Sequence, residues 1–394
     1  MQKLSLPIPA SEALAASQAL QQQIAADIHR HQGWIPFSRY MELALYTPQT
    51  GYYSGGAAKL GKDGDFTTAP EMSPLFGASL ATLAGTLFAQ TLPQVMEFGA
   101  GTGKLARDFL TECQFSGITI ERYFIVELSG ELRARQEELL RDFPQVVWLQ
   151  EMPAAFSGLV LGNEVLDAMP VDLLVKTEQG WAELGVTLAA QQADTTEPVL
   201  AWQERACEAS RAAQIPQAEA LPPGYVTEIH TVARGFMRSL GAMLQTGYAD
   251  SGKGSAVILI DYGFPAAEYY HPQRSSGTLM CHYRHHAHPD PFYLPGLQDI
   301  TAHVDFTAMA QAALESGLSL LSYTSQAGFL LESGITDLLS RSAPEQAMQY
   351  LPQANALQKL VSPAEMGELF KVLTVGIGMT LPERLLRHDR CHRL

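Results

Sequence analysis

The stretch that decides the fold is Val95-Met96-Glu97-Phe98-Gly99-Ala100-Gly101-Thr102-Gly103-Lys104-Leu105. Its apolar start, residues 95–98, predicts a short buried strand, and residues 105–110 predict the start of a helix. Three glycines alternate with other residues between them. Glycine has no Cβ, so the backbone N–H groups of such a turn can come close to a ligand. The stretch therefore predicts a ligand site on a turn between a strand and a helix.

The spacing of the glycines decides between ligands. A dinucleotide fingerprint, G-x-G-x-x-G, counted from Gly99 requires glycine where this chain has Lys104, and Gly103 comes one residue early. A phosphate-cradling P-loop is excluded because no G-K-[ST] ending follows. An acidic residue before G-x-G-x-G is typical of sites for S-adenosylmethionine (SAM), a cation whose amino-acid tail suits the Glu97 carboxylate. The turn alone favours SAM and leaves a dinucleotide or a purely structural turn open.

The length of 394 residues and the net charge of −15 restrict the function classes. The length allows two or three domains, or one large domain with insertions. The acidic balance disfavours nucleic acid as a partner and permits a cationic protein substrate, although a simple role in solubility explains it better. No stretch is long and apolar enough to suggest a membrane partner. The four cysteines form no C-x-x-C pair, and no apolar leader opens the chain, which favours the cytoplasm.

Alternating strand and helix signals follow the glycine turn. Strands are predicted at 122–127, 146–149, 159–162 and 256–260, with helices between several of them. This alternation predicts a parallel sheet with helices on both faces, which binds ligands at the carboxyl ends of its strands. The polar residues expected at that edge are Glu97, Glu127 and Asn163.

Residues outside this alternation predict additions to the sheet. A helix at 12–31 precedes a loop at 61–71 that is dense in Gly, Asp and Thr and almost free of aliphatic residues. Such a loop in an apolar region favours contact with a ligand, with a tight connection as the alternative. We expect a helical and loop region at 1–72 that covers the cofactor site. A larger domain at 73–394 follows, with an insertion at about 171–225 that starts as a hairpin.

Two carboxylates and an amide follow the strand at 159–162. Asn163 and Glu164 come directly after it, and Asp167 lies three residues further on. Many amino-group methyltransferases place Asn or Asp here to hold the nitrogen, because methyl transfer is an in-line displacement that needs a positioned lone pair. Glu164 and Asp167 could orient a guanidinium, which stays cationic at ordinary pH. Asp261, after the strand at 256–260, could also face the substrate.

Each of these carboxylates also has a structural interpretation. Asp167 could cap the next helix, Asp261 could cap a turn, and Glu127 could simply be solvated at the end of its strand. The run of four histidines between residues 282 and 288 contains no H-E-x-x-H pattern. We therefore expect a contact loop or a structural segment there and no metal site.

Several motifs together resemble one family. The motifs are Arg39-Tyr40-Met41, Tyr46-x-Pro48-x-x-Gly51-Tyr52-Tyr53, Gly64-Asp65-Phe66-x-Thr68-Ala69-Pro70-Glu71, Glu97-x-Gly99-x-Gly101-x-Gly103, Asn163-Glu164-x-x-Asp167-Ala168-x-Pro170, Ile260-Asp261-Tyr262-Gly263 and Gln298-Asp299-Ile300-Thr301-Ala302-His303-Val304-Asp305-Phe306. The chain resembles the MidA-like SAM-dependent methyltransferases from about residue 20 to its last predicted strand. Mitochondrial members of that family assist respiratory complex I assembly by symmetrically dimethylating an arginine of a core subunit.

The resemblance implies an α/β fold of the class I SAM-dependent methyltransferases. This fold is Rossmann-like with a mostly parallel seven-stranded sheet, here with an N-terminal helical extension and an inserted substrate-side region. SAM is the expected cofactor. The expected cofactor-binding residues are Gly64, Asp65, Thr68, Glu71, Glu97, Gly99, Gly101, Gly103, Glu127 and Asn163. The expected catalytic residues are Asn163, Glu164, Asp167 and Asp261.

The function expected from motifs and resemblance together is SAM-dependent methylation of an arginine side-chain nitrogen. The expected partner is an arginine-containing protein substrate, and a homodimer is possible. Two alternatives remain open. One is a non-catalytic assembly factor that binds SAM for stability, and the other is a methyltransferase that acts on a small molecule.

Overall fold

The structure is a computed structural model that describes residues 6–54, 68–190, 197–343 and 345–394. Helices and strands are numbered in chain order. The α-helices are α1 Ser11–Arg30, α2 Phe37–Tyr46, α3 Ala69–Met72, α4 Pro74–Leu87, α5 Lys104–Ser116, α6 Gly130–Leu139, α7 Ala209–Ala212, α8 Thr231–Ser251, α9 Ala266–Tyr269, α10 Phe306–Glu315, α11 Gln326–Glu332, α12 Ile335–Leu339, α13 Ala347–Val361, α14 Met366–Leu369 and α15 Glu383–Leu386. The strands are β1 Ile35–Pro36, β2 Gln94–Phe98, β3 Arg122–Val126, β4 Val146–Leu149, β5 Leu159–Asn163, β6 Asp172–Thr177, β7 Gly180–Leu188, β8 Leu200–Ala206, β9 Val226–Ile229, β10 Ser255–Phe264, β11 Met280–Tyr283, β12 His286–His288, β13 Asp299–Thr301, β14 Val304–Asp305, β15 Ser319–Ser325 and β16 Phe370–Ile377.

The chain forms two compact units, each built from three segments. The N-terminal unit comprises Met1–Phe66, Asp167–Ala233 and Ala266–His303. The sheet unit comprises Thr67–Leu166, Arg234–Pro265 and Val304–Leu394. This division differs from the expected domains, 1–72 and 73–394, because two later segments join the N-terminal helices in one unit.

The sheet unit is built on a sheet with the strand order β15-β16-β10-β5-β2-β3-β4. Neighbouring strands from β10 to β4 run parallel, whereas β16 is antiparallel to both β10 and β15. The short strand β14 pairs in parallel with the end of β10. The expected mostly parallel sheet is therefore confirmed, with the expected seven strands in its main order and β14 as an eighth.

Buried apolar side chains explain why this sheet forms. Strand β2 buries Val95 and Met96, and helices α4 and α5 contribute Phe76 and Phe109 to the core that includes Val95. The strands expected at 95–98, 122–127, 146–149 and 159–162 are confirmed to within one residue at each end. The strand expected at 256–260 extends to Phe264. Asp261 therefore lies inside β10 and not at its end, which corrects the expected position.

The N-terminal unit packs two helices on an antiparallel sheet. Strands β1, β7, β6 and β9 form that sheet in this order, and β8 pairs with β7. The hairpin expected at the start of the insertion is confirmed, since Val175 of β6 pairs with Ala182 of β7. The polar residues that follow contain β8 and β9, although their composition indicated only a loose connection. The core of the unit includes Leu20, Tyr40 and Val186, all buried.

The histidine run also belongs to the N-terminal unit. It forms a hairpin of β11 and β12, and β13 pairs with the other side of β11. Arg284 and His285 make the turn with left-handed backbone, at φ +46° and +63°. Within the described ranges, no helix has the length and apolar character needed to cross a membrane.

Candidate functional site

The glycine turn joins β2 to α5 and has a left-handed backbone. Gly99, Gly101 and Gly103 have φ of +66°, +53° and +85°, which costs other residues energy. A Cβ at Gly99 would lie 2.9 Å from Val165 Cγ2, and a Cβ at Gly103 would lie 3.2 Å from Gln136 Cγ. Both the backbone conformation and the space around the turn therefore require glycine. Gly103 is the residue that precedes the first turn of α5.

The end of the expected ligand loop is tied to this turn. The Thr102 hydroxyl donates a hydrogen bond to Glu71 Oε1 at 2.5 Å, and the Lys104 N–H donates to Thr102 Oγ1 at 3.3 Å. The Thr68 carbonyl accepts from the Glu71 N–H at 3.0 Å, just before α3. Thr68 and Glu71 are thus in the sheet unit, with Glu71 in contact with the turn. Gly64 and Asp65 lie outside the described residues.

Glu97 lies beneath the turn in the interior of the sheet unit. Its side chain is 2% exposed, and Oε2 accepts a hydrogen bond from the Tyr123 hydroxyl at 2.7 Å. Burial raises the pKa of Glu97 to about 7, and the negative charge of Glu127 adds to the rise while the Tyr123 hydrogen bond opposes it. The expected contact of Glu97 with the cofactor's amino-acid tail stays a prediction.

Glu127 follows β3 and receives hydrogen bonds from the backbone of Ser129 and of Leu128 and from the Gln136 side chain. The Ser129 N–H donates to Oε1 at 2.8 Å, and the Gln136 side-chain amide donates to Oε2 at 2.9 Å. Burial raises the pKa of Glu127, and these hydrogen bonds lower it. These three donors leave at least one of the four lone pairs of the carboxylate open for a ligand hydroxyl.

Gln136 was not indicated by the sequence. It lies on α6, a helix rich in Arg and Glu, and a glutamine in such a helix is ordinarily a surface residue. In the structure its side chain is fully buried and contacts both Glu127 and the glycine turn.

Asn163 ends β5 at the carboxyl edge of the sheet. In the strand register, Gly162 pairs with Phe98 of β2, and Asn163 pairs with Ile260 of β10. Asn163 follows Gly162 and Gly99 follows Phe98, so both residues come directly after the same pair. Asn163 Nδ2 donates to Glu164 Oε1 at 3.0 Å. Asn163 Oδ1 is buried and has no hydrogen-bond partner among the residues that the structure describes. A buried acceptor of this kind is a place where a ligand donor fits.

Glu164 has a left-handed backbone with φ +52°, although it is not glycine. Its N–H donates to the Ile260 carbonyl at 2.8 Å, which holds the turn against β10. A left-handed non-glycine residue costs of the order of 1 kcal/mol, and such strain clusters at functional sites. The strain therefore supports a functional role for this turn.

Asp261 supports the same turn from β10. It is 1% exposed, and its Oδ2 accepts from the N–H groups of Val165 at 3.2 Å and Leu166 at 2.9 Å. Oδ1 accepts from the Tyr262 N–H at 2.9 Å. These contacts correspond to the turn-capping alternative. Asp261 thus holds the backbone that follows Glu164, and its expected catalytic role stays a prediction.

Asp167 belongs to the N-terminal unit. It is 5% exposed, and its carbonyl accepts from the Ala302 N–H at 3.0 Å. Burial raises the pKa of Tyr46 and of Tyr53, and the charges of Asp299 and Asp167 contribute to both shifts. The structure therefore gathers Asn163, Glu164 and Asp261 in the sheet unit and places Asp167 among the tyrosines of the other unit.

The histidines in the hairpin of β11 and β12 differ in exposure. His285 and His286 are exposed, whereas His288 is buried, and burial lowers the pKa of His288. In the portion of the chain that the structure describes, no three His, Cys, Asp or Glu side chains are grouped to hold a metal ion.

The residues at the sheet edge fit the expected cofactor. Three adjacent parallel strands end here. Among the described residues, they are followed by a turn with three glycines, by the Glu127 carboxylate with an open lone pair and by the unpartnered Asn163 Oδ1. A nucleoside with ribose hydroxyls and an adenine amine can use each of these groups. The fold and the site define a class I SAM-dependent methyltransferase.

The comparison with known families agrees. The family described as "Putative S-adenosyl-L-methionine-dependent methyltransferase" matches residues 80–324. The chain belongs to this family, and its cofactor is SAM. The expected family resemblance, fold class and cofactor are confirmed.

Similar proteins extend the match beyond this region. A crystal structure of a "likely methyl transferase" from Burkholderia thailandensis bound to S-adenosyl-homocysteine is 50% identical, covers 99% of this chain and 100% of that chain, and has a TM-score of 0.90. "Protein arginine methyltransferase NDUFAF7, mitochondrial" of Mus musculus is 28% identical over 91% of this chain and 83% of that protein. Its Drosophila melanogaster homolog is 27% identical over 95% of this chain and 88% of that protein.

Proposed function

We propose that the protein methylates an arginine side-chain nitrogen of a protein substrate. The observation that carries the proposal is the Asn163–Glu164 pair at the carboxyl edge of the sheet, with its internal hydrogen bond of 3.0 Å and the left-handed backbone of Glu164. A carboxylate fixed at that edge suits a cationic guanidinium. The names of the curated relatives, which are protein arginine methyltransferases, support the same substrate class.

The cofactor contacts are proposed residue by residue. The turn from Gly99 to Gly103 binds the amino-acid tail through N–H groups other than that of Gly103, which donates to the Ala100 carbonyl at 2.8 Å. Glu127 accepts hydrogen bonds from the ribose hydroxyls. Asn163 Oδ1 accepts from a donor of the cofactor. Glu71 supports the turn through Thr102, and Thr68 supports Glu71. Glu97, with its raised pKa, supplies a carboxylate beneath the turn.

The reaction requires an oriented nitrogen. SAM, when bound, supplies an electrophilic methyl group on a sulfonium. Glu164 accepts hydrogen bonds from the substrate guanidinium and holds one nitrogen with its lone pair toward the methyl group. Asn163 orients the Glu164 carboxylate, and Asp261 holds the backbone of Val165 and Leu166 in place. The nitrogen that gains the methyl group loses one proton, which Glu164 accepts and passes to water.

The experiment compares Glu164→Gln with wild type and with Glu138→Gln, an exposed change on α6. Peptide arrays that carry arginine or lysine in matched sequences are incubated with methyl-labelled SAM, and labelled residues are identified by mass spectrometry. Glu164→Gln should bind S-adenosyl-homocysteine within about threefold of wild type and lose arginine methylation by roughly 100-fold or more, since one charged contact to the transition state is removed. Glu138→Gln should behave as wild type.

Other outcomes would select the alternatives. A small-molecule substrate would be favoured if neither the arginine peptides nor the lysine peptides were labelled while the cofactor still bound and free amines were methylated. Cofactor binding without transfer to any acceptor would favour an assembly factor. Label on lysine would replace arginine as the proposed acceptor.

We infer a cytoplasmic location and leave a homodimer as a further proposal. All four cysteines are free thiols, which is typical of a reducing compartment. The curated relatives carry the word mitochondrial in their names, so the location is proposed for this chain alone. Sedimentation of the purified protein over a range of concentrations tests the homodimer.

A further inference from the structure

Gln136 is a buried side chain that joins two parts of the cofactor site. Its Nε2 donates to the Gly101 carbonyl at 2.9 Å and to Glu127 Oε2 at 2.9 Å. Its Oε1 accepts from the Trp148 indole N–H at 3.0 Å. It is also the buried residue of α6, a helix whose remaining positions carry mainly Arg and Glu. This burial of one amide on a charged helix has no explanation in the core packing alone.

The chemistry of its three neighbours fixes the amide in one orientation. The Trp148 indole N–H can only donate, so it requires the amide oxygen. The Gly101 carbonyl can only accept, and an ionised Glu127 can only accept, so both require the amide nitrogen. The reverse orientation would place the amide oxygen against two acceptors. Gln136 is therefore held in a single state before any ligand binds.

We propose that Gln136 is a positioning residue that sets the affinity for the ribose of the cofactor by acting on Glu127. The inference rests on the proposed contact between Glu127 and the ribose hydroxyls. Gln136 and the Ser129 N–H each bind a different carboxylate oxygen, at 2.9 Å and 2.8 Å. The Leu128 backbone donates to the same carboxylate. The carboxylate is thereby fixed in its plane, and at least one of its four lone pairs stays open for a hydroxyl. Both bonds also favour the ionised form, which is the stronger acceptor.

The same side chain fixes the glycine turn relative to Glu127. Its bond to Gly101 holds one carbonyl of the turn, and its Cγ lies 3.2 Å from where a Cβ of Gly103 would be. The turn and the carboxylate therefore share a single support. This pre-organisation raises the affinity for a ligand that contacts both the turn and the carboxylate. The part of the affinity that comes through Glu127 requires the ribose hydroxyls.

The test measures two ligands against matched variants by isothermal titration. The ligands are S-adenosylhomocysteine and its 2′,3′-dideoxy analogue, which lacks both hydroxyls. Gln136→Met keeps the approximate size and removes the hydrogen bonds. Gln114→Met, on the exposed side of α5, is the matched control. Gln136→Met should weaken S-adenosylhomocysteine by roughly 10- to 100-fold and weaken the dideoxy analogue by a clearly smaller factor, because the analogue loses only the support that passes through the glycine turn. Gln114→Met should change neither ligand.

A second variant separates positioning from folding. Gln136→Glu keeps the shape and places a carboxylate against Glu127 at neutral pH. Its affinity for S-adenosylhomocysteine should be lowest at pH 8 and should rise as the pH falls towards 6, because a proton shared by the two carboxylates restores the donor. Wild type should show no such rise. Thermal unfolding at each pH verifies that the variant is folded during the titration.

The outcomes distinguish this inference from the proposed site. An equal loss for both ligands in Gln136→Met, or no loss, would overturn the positioning role. Wild-type protein that binds both ligands equally would instead remove the ribose contact of Glu127, and the inference would fail with it. A third outcome is that wild type binds S-adenosylhomocysteine more tightly than the dideoxy analogue and that Gln136→Met keeps the same ratio of affinities. This result would support the ribose contact of Glu127 and overturn only the role of Gln136.

Discussion

Three carboxylates of the sheet unit receive different hydrogen-bond donors. Asp261 receives three backbone N–H groups, and Glu127 receives hydrogen bonds from two backbone groups and one side-chain amide. Glu97 receives the Tyr123 hydroxyl, and its pKa is raised to about 7 because burial outweighs that single bond. Ionising the buried Glu97 therefore lowers the free energy of unfolding, and this contribution can be measured as a function of pH.

Replacing Glu97 by glutamine should stabilise the protein above pH 7. The folded pKa of about 7 is above the ordinary value of 4.5, so the stability from this group is complete below pH 4.5 and is lost as the pH rises through 7. Glu97→Gln removes that loss and should raise the free energy of unfolding by about 1–3 kcal/mol at pH 8, with the gain vanishing towards pH 4.5. Chemical denaturation at a series of pH values measures the difference.

Tyr123→Phe provides the control for this prediction. It removes the hydroxyl that stabilises the Glu97 carboxylate, so it should destabilise the protein more at pH 8 than at pH 4.5. A constant effect of Glu97→Gln across the whole range would show that Glu97 does not titrate in it.

At the scale of elements, helix α5 has a left-handed glycine at each end. Gly103 precedes the helix with φ +85°, and Gly117 follows it with φ +67°. A Cβ at Gly117 would meet no atom within 4 Å, whereas a Cβ at Gly103 would meet Gln136. The two glycines thus have the same backbone requirement and different surroundings.

Alanine at Gly103 and at Gly117 should therefore have separable effects. Each substitution should lower the free energy of unfolding by about 1–2 kcal/mol, the cost of a left-handed alanine. Gly103→Ala should also weaken S-adenosylhomocysteine by roughly tenfold or more, because the turn and Gln136 must shift. Gly117→Ala should leave the affinity unchanged. Denaturation and titration of both proteins test this, and equal affinity losses would place the effect in helix stability and not in the turn.

Helices α1 and α2 are joined through one buried carboxylate. Asp27 is 2% exposed and accepts from Arg30 at 2.6 Å and from Arg39 Nε at 3.0 Å. Burial would raise the pKa of Asp27, but the hydrogen bonds and charge of Arg39 and Arg30 lower it overall. This pairing gives a physical reason for Arg39 in the first motif.

Asp27→Asn should destabilise the N-terminal unit at neutral pH. The folded pKa is below 3.8, so the stability from Asp27 is present above that value and is lost as the pH falls through the folded pKa. We expect the free energy of unfolding to fall by about 1–3 kcal/mol at pH 7, and we expect this difference from wild type to become smaller below pH 4. Glu138→Gln breaks an exposed pair with Arg141 at 2.7 Å and should cost at most about 0.5 kcal/mol. Thermal unfolding against pH compares the two, and equal losses would contradict the role of Asp27.

The sequence predicted elements better than it predicted side-chain partners. Short apolar runs located β2, β3, β4 and β5, because a run of that length is a clear strand signal. Strands β2 and β5 are buried along most of their length, as central parallel strands are. Strand β8 alternates weakly and is exposed along most of its length, so its composition resembled a loop. The partners of Gln136 are 9 to 35 residues away in the chain, and no local pattern indicates them.

At the scale of the whole molecule, the chain passes repeatedly between its two units. The segments 167–233 and 266–303 belong with the N-terminal helices. In the chain, however, the first segment lies between β5 and most of α8, and the second lies between β10 and β14, which are all parts of the sheet unit. Contacts between distant segments decide this assignment, which explains why a division read along the sequence placed the boundary at residue 72. Each unit has its own apolar cluster, one around Phe76 and Phe109 and one around Leu20 and Tyr40.

Separate clusters predict that a ligand of the sheet unit protects that unit selectively from hydrogen exchange. At 100 times its dissociation constant, S-adenosylhomocysteine should stabilise the unit that binds it by about 2.7 kcal/mol. Peptides from β2, α5 and β5 should then exchange roughly 100-fold more slowly, whereas peptides from α1 should change less than threefold. Gly101→Val, which places a β-branched residue at φ +53°, is the control and should abolish the protection. Equal protection of α1 and β2 in wild type would show that the two units unfold as one, and the separate clusters would then not define independent folding units.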